Sequence, residues 1–191
     1  MKLLEERILK DGKVIGGDVL KVDSFINHQM DPALFREMAL EWKRLFEGCG
    51  INKILTIEAS GIGIAAVAGL EFGCPVVFAK KSKSSNTPEH SYSATVKSFT
   101  RGTVNDIYVS TKYLNPGDKI LIIDDFMATG EAARGLTQLV KEAGAELIGI
   151  GIAVEKAFQP GGEELRSMGI RVESLARIKE MSEENGIVFV D

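Results

Sequence analysis

Two rhythms alternate along this chain, one of helical period and one of short unbroken aliphatic runs, and their order predicts helices packed around a sheet. Leu3, Leu4, Ile8 and Leu9 mark an amphipathic helix over residues 1–10 that stops at Asp11-Gly12. Val14 to Met30 is of mixed character. Asp31-Pro32 places an N-cap before a proline at the first helical position, opening a helix to about Glu47 with Leu34, Phe35, Met38, Trp42, Leu45 and Phe46 on its buried side. Lys53 to Ala59 reads as a strand, Ser60-Gly61 as a tight turn, Ile62 to Phe72 as a small-residue helix and Pro75 to Lys80 as a second strand. Residues 82–113 have no helical period. From Ser91 the alternation of Tyr92, Ala94 and Val96, a turn near Arg101-Gly102, and then Ile107, Val109, Thr111 and Tyr113 predict a two-stranded excursion. Ile120 to Ile123 forms a strand buried on both faces that ends at Asp124 and Asp125, followed by a loop from Phe126 to Gly130 and a helix from Glu131 to Ala143 closed by Gly144. Leu147 to Val154 is another buried strand, Glu163 to Met168 a short helix, and Ile170 to Lys179 and Ile187 to Val190 the final strands. Strands alternating with helices define an α/β fold with a mainly parallel sheet covered on both faces.

Length and composition narrow the function classes. At 191 residues, with 45% hydrophobic and 26% charged positions, the chain suits one domain with a full core. A net charge of -4 argues against a primary nucleic-acid binder, so any anion site must be local. No apolar run approaches the roughly 18 residues of a membrane span, and the start M-K-L-L-E-E-R lacks a signal-like apolar region, so a cytoplasmic protein with no membrane partner is expected. Cys49 and Cys74 stand outside any C-x-x-C string, and His28 and His90 are isolated; neither a zinc site nor a histidine triad is predicted.

The chemistry concentrates in Ile120 to Ala132, I-L-I-I-D-D-F-M-A-T-G-E-A. The backbone N–H groups of Ala128, Thr129, Gly130, Glu131 and Ala132 fall where a helix begins, so several donors lack intrahelical partners and the helix dipole favours an anion. Thr129 adds a hydroxyl and Gly130 permits close approach. Two adjacent carboxylates, Asp124 and Asp125, accept hydrogen bonds and donate none, which matches the neighbouring hydroxyls of a ribose. Phosphate at one end and diol at the other describe a ribose 5-phosphate.

Other readings of these residues are weaker. Aliphatics followed by Asp-Asp also suit a Walker B strand, but no G-x-x-x-x-G-K-[ST] string precedes it. An acidic pair at a strand end also suits a phospho-acceptor site or two solvated acids, neither of which uses the T-G loop. Gly61-Ile62-Gly63-Ile64-Ala65-Ala66 fits the dinucleotide pattern G-x-G-x-x-A, yet the next strand ends in Lys80-Lys81 where a ribose-binding acid belongs. The excursion at 82–113 reads either as a surface hairpin or as a lid over a ligand.

The strand, acid pair and T-G loop resemble the phosphoribosyl pyrophosphate (PRPP) signature of the type I phosphoribosyltransferases, with Ala132 standing where many members carry threonine and Glu131 as an unusual neighbour for a phosphate. Across nearly the whole chain, and above all in L-K-V-D-S-F-I-N-H-Q (Leu20 to Gln29) and Glu155-Lys156-x-Phe158, the sequence resembles the bacterial xanthine phosphoribosyltransferases. The resemblance implies a single domain over 1–191, with a hood from about 1–35 plus the C-terminal strands and a lid at about 82–113. It implies that Asp124 and Asp125 serve catalysis and that Ala128, Thr129, Gly130, Glu131, Ala132, Ser60, Gly61, Lys80 and Lys81 bind PRPP. Lys97 and Arg101 then supply charge from the lid. Leu20, Asn27, Lys156 and Phe158 bind the purine, with Phe158 or Phe126 stacking on it. A lysine carries only donors, which pairs it with a purine oxo group and opposes an adenine amino group. Mg2+ is expected on the pyrophosphate rather than on protein ligands, and a homodimer is implied. The reaction implied is xanthine plus PRPP giving xanthosine 5'-monophosphate and pyrophosphate; a hypoxanthine or guanine preference, or a non-catalytic PRPP- or purine-sensing regulator, are the alternatives.

Overall fold

In the computed structural model, which describes residues 1–81, 90–97 and 104–190, the predicted rhythms become elements of the same type. Helix α1 (Lys2–Asp11) leads into a small hairpin of β1 (Lys13–Ile15) and β2 (Val19–Lys21), a wide π-type helical turn at Asp23–Asn27, and α2 (Pro32–Leu45). Then follow β3 (Lys53–Ile57), α3 (Ser60–Phe72), β4 (Val76–Ala79), β5 (Ser91–Lys97), β6 (Val104–Ser110), β7 (Lys119–Met127), α4 (Glu131–Glu142), β8 (Glu146–Lys156), α5 (Gly161–Ser167), β9 (Val172–Ser182) and β10 (Gly186–Phe189). The Asp31 carboxylate caps α2 by accepting the Leu34 N–H at 3.1 Å, with Pro32 in the first turn as its sequence position requires. That bond holds the Asp31 carboxyl below its ordinary range, against the opposing effect of burial and with help from Arg7.

The main sheet has six strands in the order β10-β9-β8-β7-β3-β4, parallel except where β10 returns against β9. One face buries Leu4 and Ile8 of α1, Phe35, Met38 and Trp42 of α2, and Ile64 and Ala68 of α3 against Leu121, Ile123 and Val154. The other buries Leu136, Leu139 and Val140 of α4 and Leu165 of α5 against Ile120, Ile122 and Ile150. Each of these large side chains contributes about 1.5–3 kcal/mol through burial. The glycines of L-I-G-I-G-I-A-V are packing choices: a Cβ on Gly151 would lie 2.9 Å from Trp42 Nε1, and one on Gly149 would lie 2.6 Å from a ring carbon of Phe46. Trp42 fills that space and donates its indole N–H to the Glu173 carbonyl at 3.2 Å.

Two boundaries at the site differ from the sequence reading, and the excursion keeps its expected two strands. β7 does not stop at the acids but continues through Asp124 and Asp125 to Met127, because β8 keeps pairing with it as far as Met127 and Glu155. Ser60 and Gly61 are the first residues of α3 and not a turn before it. The excursion is an antiparallel β5–β6 pair whose apolar side packs on α4, where a Cβ on Gly135 would meet Val96 at 2.4 Å and Ile107 at 3.1 Å. Lys97 ends β5, while Arg101, the expected turn beside it and residues 82–89 lie outside the described residues. Among the described residues no helix is long and apolar enough to cross a membrane.

Candidate functional site

The chain leaves β3 for β4 on one side of the sheet and leaves β7 for β8 on the other, although β3 and β7 are neighbours. Such a reversal opens a crevice beyond the carboxyl ends of the two strands, because the loops that follow them diverge. A cavity of about 700 Å³ lies there, bounded by Glu58 and Ala59 after β3, by Phe126 and residues 128–133 after β7, and by Lys81 and Lys156.

The loop after β7 turns its amides inward because its carbonyls are held behind it. The Ala128 carbonyl accepts the Gly161 N–H at 3.1 Å, and the Thr129 carbonyl accepts Arg134 Nη2 at 2.6 Å. In a planar trans peptide the C=O and the following N–H point opposite ways, so these contacts direct the Thr129 and Gly130 amides away from the rear anchors. Gly130 completes the turn at φ 79°, a left-handed conformation suited to glycine. The first α4 bond runs from Arg134 N–H to Gly130 O at 2.9 Å. The amides of Ala132 and Ala133 therefore precede the helix ladder, and among the described residues they donate to no protein acceptor. The positive end of α4 faces the cavity. Glu131 keeps its carboxylate on Arg134 Nη2, at 2.6 Å.

Beneath this loop the acid pair is nearly closed to solvent, with Asp124 5% and Asp125 8% exposed. The Asp125 N–H donates to Asp124 Oδ1 at 3.0 Å. Burial, and then the neighbouring Asp125 charge, push the Asp124 carboxyl far above the ordinary range, with Lys81 opposing. Burial of the pair therefore disfavours the charged form of Asp124. Gly61 is what lets α3 start so close: a Cβ there would lie 2.8 Å from Asp124 Oδ1 and 2.3 Å from Thr56 Oγ1.

The expected site residues divide by position. Residues 128–132, Lys81 and Lys156 line the cavity, and Ser60 and Gly61 follow directly from its wall at Glu58 and Ala59, which are joined by a cis peptide. Lys81 is fixed there by its own N–H, which donates to the Glu58 carboxylate at 2.6 Å. Lys80 is not brought to this site: its backbone pairs with Tyr108, and the residue lines a separate cavity of about 540 Å³ with Phe78, Tyr108, Lys112 and Tyr113. Adjacent residues of an extended strand point to opposite sides, which separates the two lysines. Leu20 is buried in the core, while Asn27 and Phe158 are exposed; none of the three lines the cavity. Lys156 donates to the Asp18 carbonyl at the tip of the β1–β2 hairpin, and burial lowers its pKa, with Asp18 opposing.

Two features had no signal in the sequence reading. Gly161 and Gly162 open α5 against the back of the loop, where a Cβ on Gly161 would fall 2.4 Å from Gly130 N and 2.5 Å from Ala128 O. A Cβ on Gly162 would fall 2.1 Å from Oε1 of Glu155, itself 2% exposed and held by both terminal nitrogens of Arg166 at 2.8 and 2.7 Å. Burial raises the Glu155 carboxyl, but the Arg166 and Ser174 hydrogen bonds and the Arg177 charge outweigh it, and the net shift is downward.

A mainly parallel sheet has a loop of inward amides and two lysines on the cavity at its switch point, with the buried acids adjoining that cavity but not among its lining residues, and the phosphoribosyl transferase domain model matches residues 32–174. The chain belongs to the phosphoribosyltransferase family. It is 56% identical over 190 residues to "Xanthine phosphoribosyltransferase 2" of Clostridium botulinum (strain Hall), covering 99% of both chains. It is 59% identical over 186 residues to "Xanthine phosphoribosyltransferase" of Ruminiclostridium cellulolyticum, covering 97% of each. Among solved structures, adenine phosphoribosyltransferase of Giardia lamblia with 9-deazaadenine superposes with a TM-score of 0.78 at 20% identity, over 91% of this chain and 97% of that one, a likeness of fold.

Proposed function

We infer that the chain joins xanthine to the ribose 5-phosphate of PRPP, giving xanthosine 5'-monophosphate and releasing pyrophosphate. The observation that carries this reading is the cavity at the sheet's switch point, where inward amides of the β7–α4 loop face the same space as Lys81 and Lys156. The names of full-length relatives favour xanthine as the base.

In this reading the amides of residues 128–132 and the Thr129 hydroxyl hold the 5-phosphate, and the buried acids beneath them hold the ribose hydroxyls. The carboxyl groups of Asp124 and Asp125 share the two neighbouring hydroxyls. The bond from the anomeric carbon to the pyrophosphate oxygen breaks as the bond to a purine nitrogen forms, and that nitrogen loses its proton. Positive charge gathers on the sugar meanwhile, and in this reading Asp125 stabilises it. Lys81 and the backbone of Ala59, Ser60 and Gly61 attend the leaving pyrophosphate. Magnesium would come with the substrate, where it would offset the charge of the pyrophosphate.

Lys156 donates to a purine oxo group and turns that donor against the amino group of adenine. Asn27 from the N-terminal segment and Phe158 after β8 complete the base site in this reading, and a homodimer is part of it. The test is a spectrophotometric comparison of xanthine, guanine, hypoxanthine and adenine with magnesium PRPP. Xanthine turnover at least tenfold above the others supports the assignment, and preference for another base replaces it. Near-normal turnover by Asp125→Asn would remove Asp125 from the mechanism.

A further inference from the structure

Glu131 is an acid set in the first turn of α4, beside amides that this reading assigns to a phosphate, where a free carboxylate would repel the ligand. The structure shows what restrains it. One turn along α4, Arg134 Nη2 donates to Glu131 Oε1 and to the Thr129 carbonyl, both at 2.6 Å, while Nη1 donates to Glu164 Oε2 of α5 at 3.0 Å. Arg134 does not line the cavity, and its Nη1 would lie 3.2 Å from a Cβ on Gly130. The guanidinium therefore lies outside the cavity wall and ties up a carboxylate and a carbonyl that flank the loop's amides.

We propose that Arg134 is a positioning residue for the PRPP 5-phosphate, acting through the loop: it neutralises Glu131 and holds the Thr129 carbonyl rearward, so that the Gly130 amide faces the ligand. The proposal rests on the phosphoribosyl-transfer reading. A planar fork with several donors suits the task, since one lysine ammonium lacks the geometry to hold three acceptors in this arrangement.

The test is steady-state kinetics with each substrate varied in turn, on wild type, Arg134→Ala, Arg134→Lys, Glu131→Gln and the double variant Arg134→Ala/Glu131→Gln, with thermal melts of each. Arg134→Ala should raise the PRPP KM at least tenfold, lower kcat no more than threefold and leave the xanthine KM within twofold. The double variant should recover at least threefold of that loss, because the freed carboxylate is gone, and Arg134→Lys should fall between wild type and Arg134→Ala. Should Arg134→Ala fail to fold, Arg134→Lys carries the test through the same rise confined to the PRPP KM. A PRPP KM within twofold of wild type in the arginine variants, equal losses for both substrates, or no recovery in the double variant would overturn the assignment. Wild-type turnover with unaffected arginine variants overturns the role of Arg134 alone, whereas a wild type that does not bind PRPP overturns the functional reading and this role with it.

Discussion

Lys156 donates its ammonium to the main-chain carbonyl of Asp18, joining the end of β8 to a hairpin tip 138 positions earlier in the chain. The tip turns on Gly16 and Gly17 at φ 61° and 84°, and is held from its other side by the Gly16 N–H, which donates to Glu183 Oε1 at 2.7 Å. An ammonium has three donors, so this contact orients Lys156 and still leaves donors for a purine oxo group.

Lys156→Ala should therefore raise the xanthine KM at least tenfold while the PRPP KM stays within about twofold. Gly17→Val, which forces a β-branched residue into a left-handed turn, should displace the Asp18 carbonyl and raise the xanthine KM by roughly threefold to tenfold, at a strain of about 1–3 kcal/mol. Varying each substrate separately checks both. An equal rise in the PRPP KM would disconnect the hairpin from base binding.

The two neighbouring lysines after β4 should behave as unrelated residues. Lys81 lines the cavity of the β7–α4 loop, whereas Lys80 lines the one bounded by Phe78 and Tyr113. Lys81→Ala should raise the PRPP KM about tenfold, the scale of a lost charge-assisted contact of about 1.5 kcal/mol. Lys80→Ala should leave it within about twofold. Isothermal titration with PRPP distinguishes them directly, and equal losses would contradict the separation.

What the sequence revealed and what it hid follow from the range of the interactions. The α2 cap at Asp31-Pro32, the buried run Ile120–Ile123 and the glycine-bearing turn into α4 are local patterns, legible because the residues that set them are adjacent. The rear support of the same loop comes from Gly161 and Arg134, and neither has a local signature: a glycine chosen for space looks like any glycine, and an arginine on a helix surface looks like solvent-facing charge. The burial of Asp124 was hidden for a related reason. Two acids in a row read as solvent-facing charge until the strand is seen to continue through them and α3 is seen to close over one of them at Gly61. Alternation could have separated Lys80 from Lys81, but only once the chain was known to stay extended past Ala79 into the pairing with Tyr108.

The buried acid pair makes a prediction about stability that is independent of turnover. Burial and the Asp125 charge raise the Asp124 pKa, so between the ordinary aspartate value and the raised one the folded chain keeps a proton that the unfolded chain has released. Folding stability must then fall as pH rises through that interval: the Asp124 penalty is absent below the unfolded value and fully present above the folded one. Asp124→Asn keeps an oxygen to accept the Asp125 N–H and has no charge to desolvate, so the variant should escape the penalty. Thermal melts should give an Asp124→Asn Tm close to wild type near about pH 4 and a gap in the variant's favour that widens toward about pH 8. A gap that does not change with pH, or one that favours wild type more as pH rises, would mean that the Asp124 pKa is not raised in the folded chain.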